Sequence, residues 1–252
     1  MAHAPEEARS VWSLIVTFFG DCIVPRSAAV AASTLREVMD ACGVEQGAVR
    51  TALSRLAADG WIERERRGRS AFYRLSNDRR SQFAQAGQLI YAASVPTRRA
   101  LAIVPPPNGV ALPGDRDVNG VRITLHDPPR GSVVLDEPAN GWPDWLGDHW
   151  PIDPTRVGKP ETEWSTDPLS ALAQRILLIH DWRRLILKMH DRVLLDPAPL
   201  SRAQERVAGA YAILWPRSEA WLSSNGRSPG GPLPPARYDW RFGYTLQELL
   251  ER

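Results

Sequence analysis

At 252 residues the chain is longer than one average domain, so a single small module is excluded and two ordinary domains or three small ones are expected. Hydrophobic residues at 43% and charged residues at 24% are those of a globular chain, which excludes wholesale disorder. The formal charge is only +2, from 31 basic and 29 acidic residues, which excludes a uniformly polycationic coat and directs attention to local basic faces.

The first predicted helix covers residues 6–20, with Val11, Leu14, Ile15, Phe18 and Phe19 recurring at 3- and 4-residue steps so that one face is buried. Its apolar run, 11–19, is too short to cross a bilayer and follows Glu6 and Glu7 rather than a basic stretch. Neither export nor a membrane span is expected. Cys22 and Cys42 show no CxxC pattern and no His or Cys neighbours at zinc spacing, so they read as buried thiols of a cytoplasmic protein. Thr34-Leu35-Arg36-Glu37 has the pattern of a capping box, which starts a second helix at Thr34 that stops at Gly43.

A third helix is predicted over 45–59, burying Val49, Leu53 and Leu56 and leaving Gln46, Arg50, Thr51, Ser54 and Arg55 towards solvent. Trp61-Ile62-Glu63-Arg64-Glu65 and Ser70-Ala71-Phe72-Tyr73-Arg74-Leu75 then alternate as two strands, joined by the turn Arg66-Arg67-Gly68-Arg69. Helix, glycine turn, helix and basic hairpin form a winged helix-turn-helix pattern. Nine arginines against four acidic residues between Arg50 and Arg80 make this segment a local basic ridge. A helix fits the major groove, where Arg pairs with guanine and Gln with adenine, while hairpin arginines such as Arg64, Arg66, Arg67 and Arg69 reach phosphates or a narrow minor groove. The plainer alternatives are a solvated hairpin, balanced in part by Glu63 and Glu65, or a protein-docking module.

Proline and glycine crowd residues 96–160, where short β-like runs at 101–104, 121–125 and 132–135 alternate with turn signals. Residues 223–235, rich in Ser, Gly and Pro, read as a loop or linker. Leu169, Leu172, Ile176, Ile179, Trp182, Ile186 and Met189, widened by Leu178 and Leu185, predict a helix that packs on two sides, as a dimer seam or as intradomain core. A further helix begins near Ser201, turns Val207, Tyr211 and Leu214 inward, and is broken or kinked at Pro216.

Three of the five histidines precede an aspartate, as in His180-Asp181 and His190-Asp191, which raises a metal or hydrolase reading. On one continuous helix His180 and Asp191 would stand roughly 16 Å apart, too far for one metal. No HExxH, GxSxG, P-loop or GxGxxG in its proper context is present. No catalytic residue, metal site or cofactor is expected. His180 reads as a packing or hydrogen-bonding residue, with an effector contact as the alternative.

Phe18-Phe19-Gly20-Asp21, Pro25-Arg26, Val49-Arg50-Thr51-Ala52-Leu53-Ser54-Arg55-Leu56 and Asp59-Gly60-Trp61, followed far downstream by Arg175-Ile176-Leu177-Leu178-Ile179-His180-Asp181-Trp182-Arg183-Arg184, Ala210-Tyr211 and Ser218-Glu219-Ala220-Trp221-Leu222, resemble the PaaX-like family of bacterial transcriptional repressors. The resemblance implies an α+β chain: a winged helix-turn-helix with linker helix over 1–92, a small central ferredoxin-like or otherwise β-rich domain over 93–164, and a helical domain over 165–252. It further implies a homodimer that binds double-stranded operator DNA, represses genes of aromatic-acid or related catabolism, and is released by an acyl-CoA or aryl-CoA thioester. Arg183 and Arg184 would then be partners for the CoA phosphates, beside His180. Competing readings are a CoA-ester enzyme or metal-dependent hydrolase with an accessory winged helix, and a protein-docking adaptor.

Overall fold

The computed structural model describes residues 10–92, 101–104, 116–118, 121–124, 133–135, 153–159, 163–189, 198–237 and 240–245. Helix α1 spans Val11–Phe18 and continues through a π-helical turn at Phe19–Ile23 and a 3₁₀ turn at Val24–Arg26. The predicted stop at Gly20 is therefore corrected. A Cβ there would lie 3.3 Å from the ring of Phe83, so this glycine permits a close approach rather than ending a helix. The expected single buried stripe is also corrected: Leu14 through Phe19 are all buried, because α1 is enclosed by a third helix on one side and a C-terminal helix on the other.

Strand β1 is Val30–Ala31 and helix α2 is Ala32–Ala41, two residues earlier than the capping-box signal. Thr34 does not cap it. Its buried hydroxyl instead accepts the backbone N–H of Arg227, at 3.2 Å. Helix α3 is Gln46–Ala58. Both α2 and α3 end in paired bonds of the Schellman type, Gly43 N–H to Asp40 O with Val44 N–H to Met39 O, and Gly60 N–H to Ala57 O with Trp61 N–H to Leu56 O.

Strands β2 (Ile62–Arg67) and β3 (Ser70–Leu75) pair antiparallel with Arg67 opposite Ser70, so Gly68 and Arg69 alone form the loop and Arg66 and Arg67 belong to the strand. Gly68 takes φ 59°, which the first loop position of a type II′ hairpin requires. The hairpin is extended by β1 on its β3 side. Helix α4, Arg80–Ile90, follows.

Strands β4 (Leu101–Val104), β5 (Arg116–Val118), β6 (Val121–Thr124) and β7 (Val133–Leu135) form an antiparallel sheet in the order β5-β6-β4-β7. Three of the strands coincide with the predicted runs, and β5 was not predicted. The connections β4 to β5 and β6 to β7 each pass an intervening strand, as in a split ferredoxin-like arrangement, and no helix lies among the described residues of 93–164.

Helix α5, Pro168–Met189, and helix α6, Ala198–Asn225, pack on each other. Helix α6 starts before Ser201 and runs unbroken through Pro216, which corrects the predicted break. Residues 223–235 are no linker: β8 (Arg227–Ser228) and β9 (Gly231–Pro232) form a hairpin that rests beside β1, with Leu233 buried in the core around α1. A last hairpin, β10 (Trp240–Arg241) and β11 (Tyr244–Thr245), turns at Phe242, whose ring packs at 5.4 Å from both Tyr91 and Tyr211.

Of the two apolar clusters, one joins α1–α3 and the hairpin to Leu172 and Ile176 of α5, and the other joins Ile179, Trp182, Leu185 and Ile186 of α5 to α6 and to Ile90 and Tyr91. Both sides of α5 are thus covered within the chain, so its apolar width is intrachain core.

Candidate functional site

The exposed face of α3 carries Gln46, Arg50, Thr51, Ser54 and Arg55, as its periodicity predicted. They differ in freedom. Gln46 Nε2 donates to Arg36 O at 3.3 Å and Asp40 Oδ1 at 3.4 Å, tying the start of α3 to α2. The Thr51 hydroxyl donates back to Gly47 O at 3.1 Å. Arg50 and Arg55 form no ion pair with the described residues.

Strand pleating sorts the hairpin arginines. Arg64 stands opposite Tyr73 and Arg66 opposite Ala71, on the side of Ile62 and Leu75 that faces the helices. Arg67 is on the other side, with its Nε donating to Glu65 at 2.6 Å and its Nη1 to the carbonyl of Pro229 at 3.3 Å. Glu63 accepts two bonds from Arg74, at 2.6 and 2.8 Å. One face of the hairpin is therefore charge-balanced while the other presents Arg64 and Arg66 beyond the core, with Arg69 exposed in the loop.

Beneath this surface lies a buried polar network without counterpart in the sequence-based site. Arg175 of α5 is fully buried and donates from Nε to Asp21 Oδ2 at 2.7 Å, from Nη1 to Glu219 Oε1 at 2.9 Å and from Nη2 to the Tyr211 hydroxyl at 3.1 Å. Asp21 Oδ1 accepts from the hydroxyls of Tyr91 at 2.6 Å and Tyr211 at 3.1 Å. Arg26 pairs with the other oxygen of Glu219 and donates to Cys22 O. Burial by itself would raise the Asp21 carboxyl, but the charges of Arg175 and Arg241 and the Tyr91 hydrogen bond hold it below the ordinary carboxylate range. Burial, then the Asp21 charge, pushes Tyr91 well above the usual phenol value. Burial raises the Cys22 thiol, as expected of an inert buried cysteine. A readable signal existed: Arg175 falls on the apolar face between Leu172 and Ile176, where a charge requires a buried partner.

Of the predicted effector residues, His180 is fully buried, with Nδ1 3.4 Å from the Thr17 hydroxyl, which itself donates to Ser13 O. Arg183 reaches the same helix, donating from Nη2 to Ser13 O at 3.3 Å and Ser13 Oγ at 2.5 Å. Arg184 is half-buried. His180 and Arg183 thus meet α1. His190, raised only in the metal or hydrolase reading, lies outside the described residues. Between α1, α4 and α5 opens a cleft of about 470 Å³, whose walls include Trp12, Trp61, Phe83, Ile179, Arg183 and Leu187. Among the described residues no cluster of three His, Cys, Asp or Glu could hold a metal, and no helix is long and apolar enough to cross a membrane.

A solved structure, the uncharacterized protein Rv0674 from Mycobacterium tuberculosis, is similar with a TM-score of 0.48 at 14% identity, covering 84% of this chain and 99% of that one. Over 84 residues the chain is 34% identical to the transcriptional repressor PaaX of Escherichia coli (strain K12), a match that takes in 33% of this chain and 27% of that protein. Residues 10–79, from the start of α1 to the turn before α4, match the family model described as PaaX-like protein. That N-terminal region is similar to the PaaX-like family.

Proposed function

We propose that the chain is a DNA-binding transcriptional repressor in which residues 1–92 act as a winged helix-turn-helix, with α3 entering the major groove and the β2–β3 hairpin as its wing. The observation that carries this reading is the exposure of Arg50, Ser54 and Arg55 on α3 and of Arg64 and Arg66 on the helix-facing side of the hairpin, inside the family match. Side chains on an exposed helix face reach base edges, and cations beyond the end of a hairpin meet phosphates on the flanking backbone. Gln46 joins them by exchanging its bonds to α2 for a base. Thr51 lies on the same face, and Arg69 adds charge at the hairpin tip, to which Arg67 contributes by exchanging its Glu65 partner for a phosphate.

The repressor works in the cytoplasm as a homodimer, because one recognition helix covers a half-site and a two-fold axis sets two of them about 34 Å apart on one face of the duplex. Residues 93–164 and 165–252 are its central and C-terminal domains. Its genes are those of aromatic-acid or related catabolism, and a small-molecule effector releases it, for which the family resemblance implies an acyl-CoA or aryl-CoA thioester. The chain performs no catalysis and carries no cofactor.

Fluorescence anisotropy on the DNA upstream of the chain's own gene tests the reading. Saturable binding that survives excess random duplex is expected, with a complex mass of two chains. Equal affinity for upstream and scrambled DNA at every salt concentration would overturn it.

A further inference from the structure

The cleft between α1, α4 and α5 is built for a smaller and less charged molecule than a CoA thioester. Its volume of about 470 Å³ is within the range of small-ligand sites, about 300–1,000 Å³. Trp12 and Trp61 meet edge to face at 5.1 Å, and Trp61 and Phe83 at 6.2 Å, so one wall is a bank of rings suited to receive another ring. Leu187, a large apolar residue that remains exposed, borders the same space.

Among the described residues two charged side chains line it, Asp21 and Arg183. Asp21 is committed to Arg175, Tyr91 and Tyr211. Arg183 is different. Its Nη2 is held by Ser13, which fixes the guanidinium, while its Nε is shielded from solvent without a hydrogen-bond acceptor. No carboxylate pairs with it among the described residues, and burial lowers its pKa, the mark of a cation lacking a nearby counter-charge. A largely buried guanidinium at the edge of an aromatic cavity is completed by one anionic group, and a planar carboxylate matches its fork. Among the described residues the lining offers the three phosphates of a CoA moiety no further cation, and Arg79 is stacked on the Trp61 ring at 4.7 Å.

We infer that this cleft binds a hydrophobic monocarboxylate, an arylalkanoic acid in free form, with its ring against Trp12, Trp61 and Phe83 and its carboxylate on Arg183. Trp61 directly follows the turn that closes α3, and Trp12 belongs to the helix against which α3 packs. A ring lodged there touches the support of the α3 face from beneath. As a binding site the cleft does not depend on the DNA reading. As the effector site of a repressor it rests on that reading and puts the free acid in place of the thioester that the family resemblance implies.

Isothermal titration of the full chain with 3-phenylpropionate, its neutral amide and its CoA thioester tests the site, with tryptophan fluorescence as a second readout. One saturable site for the acid and at least tenfold weaker binding of the amide are expected. Arg183→Met should lose at least tenfold in acid affinity. Because Arg183 is largely buried, a second variant keeps it: Gly87 borders the cleft on α4 with open space around an added Cβ, so Gly87→Leu fills the volume, favours the helix and should abolish binding. No saturable binding of the acid by a folded chain, unchanged affinity in Gly87→Leu, or binding of the thioester alone would each overturn the inference. Anisotropy on upstream DNA separates the two proposals. Acid binding without DNA binding upholds the site and removes the repressor, whereas DNA binding without acid binding does the reverse.

Discussion

Replacing Arg175 with methionine removes the central cation of the buried network while keeping an unbranched side chain in the core. Asp21 and Arg175 are each fully buried and meet at 2.7 Å. Their loss is asymmetric, because the carboxylate remains where water cannot reach it. Breaking such a pair from one side costs about 3–5 kcal/mol, against a total stability on the order of 5–15 kcal/mol. At about 2–4 °C per kcal/mol for a chain of this size, Tm should fall by roughly 6–20 °C. The pH dependence should change sign. In the native chain the Asp21 carboxyl is held low, so its contribution is complete above the unfolded value of about 3.9 and is lost as pH falls through the folded value. Without Arg175, the largest effect, burial, is expected to outweigh the Arg241 charge and the Tyr91 hydrogen bond that remain and to raise this carboxyl. The group then favours folding when protonated and disfavours it as pH rises through the raised value. The gap between native chain and variant therefore narrows on going from about pH 7 to about pH 4.5. Adding Asp21→Asn to the variant should recover most of the loss. Urea unfolding followed by tryptophan fluorescence and circular dichroism measures each term. A loss below about 1 kcal/mol, or one of equal size at both pH values, would refute the claim that this pair is a mutually compensated buried charge.

Three further outcomes are expected. Arg50→Ala should lower discrimination between operator and random DNA by about 1–3 kcal/mol, read by competition titration, if Arg50 pairs with guanine. Arg66→Ala should reduce the salt slope of binding by about one counterion, whereas Arg67→Ala should change it less, because Arg67 is already engaged by Glu65 and the Pro229 carbonyl. Thr34→Val should cost about 1 kcal/mol and speed hydrogen exchange at the Arg227 amide, with the exchange of the first turn of α2 unchanged.

The parts of the fold that were legible in sequence are those whose physics is local. The stops of α2 and α3 at Gly43 and Gly60, the exposed face of α3 and the two-strand hairpin all follow from periodicity and turn chemistry within a few residues. The misread elements share one cause: each signal had a second use that depends on a distant partner. Gly20 admits Phe83, Thr34 serves Arg227, and α6 passes through Pro216 because α5 and the core hold it on both sides of the missing N–H. The Ser/Gly/Pro-rich run at 223–235 resembles a linker by composition, but the buried Leu233 and the tie to Thr34 anchor it. The hairpin arginines look alike in sequence, and only strand register separates Arg64 and Arg66 from Arg67.

The passage of α5 through both apolar clusters determines how the molecule can be taken apart. The family match ends at residue 79, but that is a limit of sequence similarity and no limit of packing. A fragment cut out there would carry Leu14, Phe18 and Leu35 with the surface once covered by Leu172, Ile176, Trp221 and Leu233 laid bare to water. Helix α3 and the C-terminal helices should accordingly melt as one cooperative unit, and grafting the N-terminal segment onto another protein transplants half of a core. Any signal that moves α3 must work by sliding these packed surfaces past each other, in steps of side-chain size, instead of swinging a free domain on a hinge.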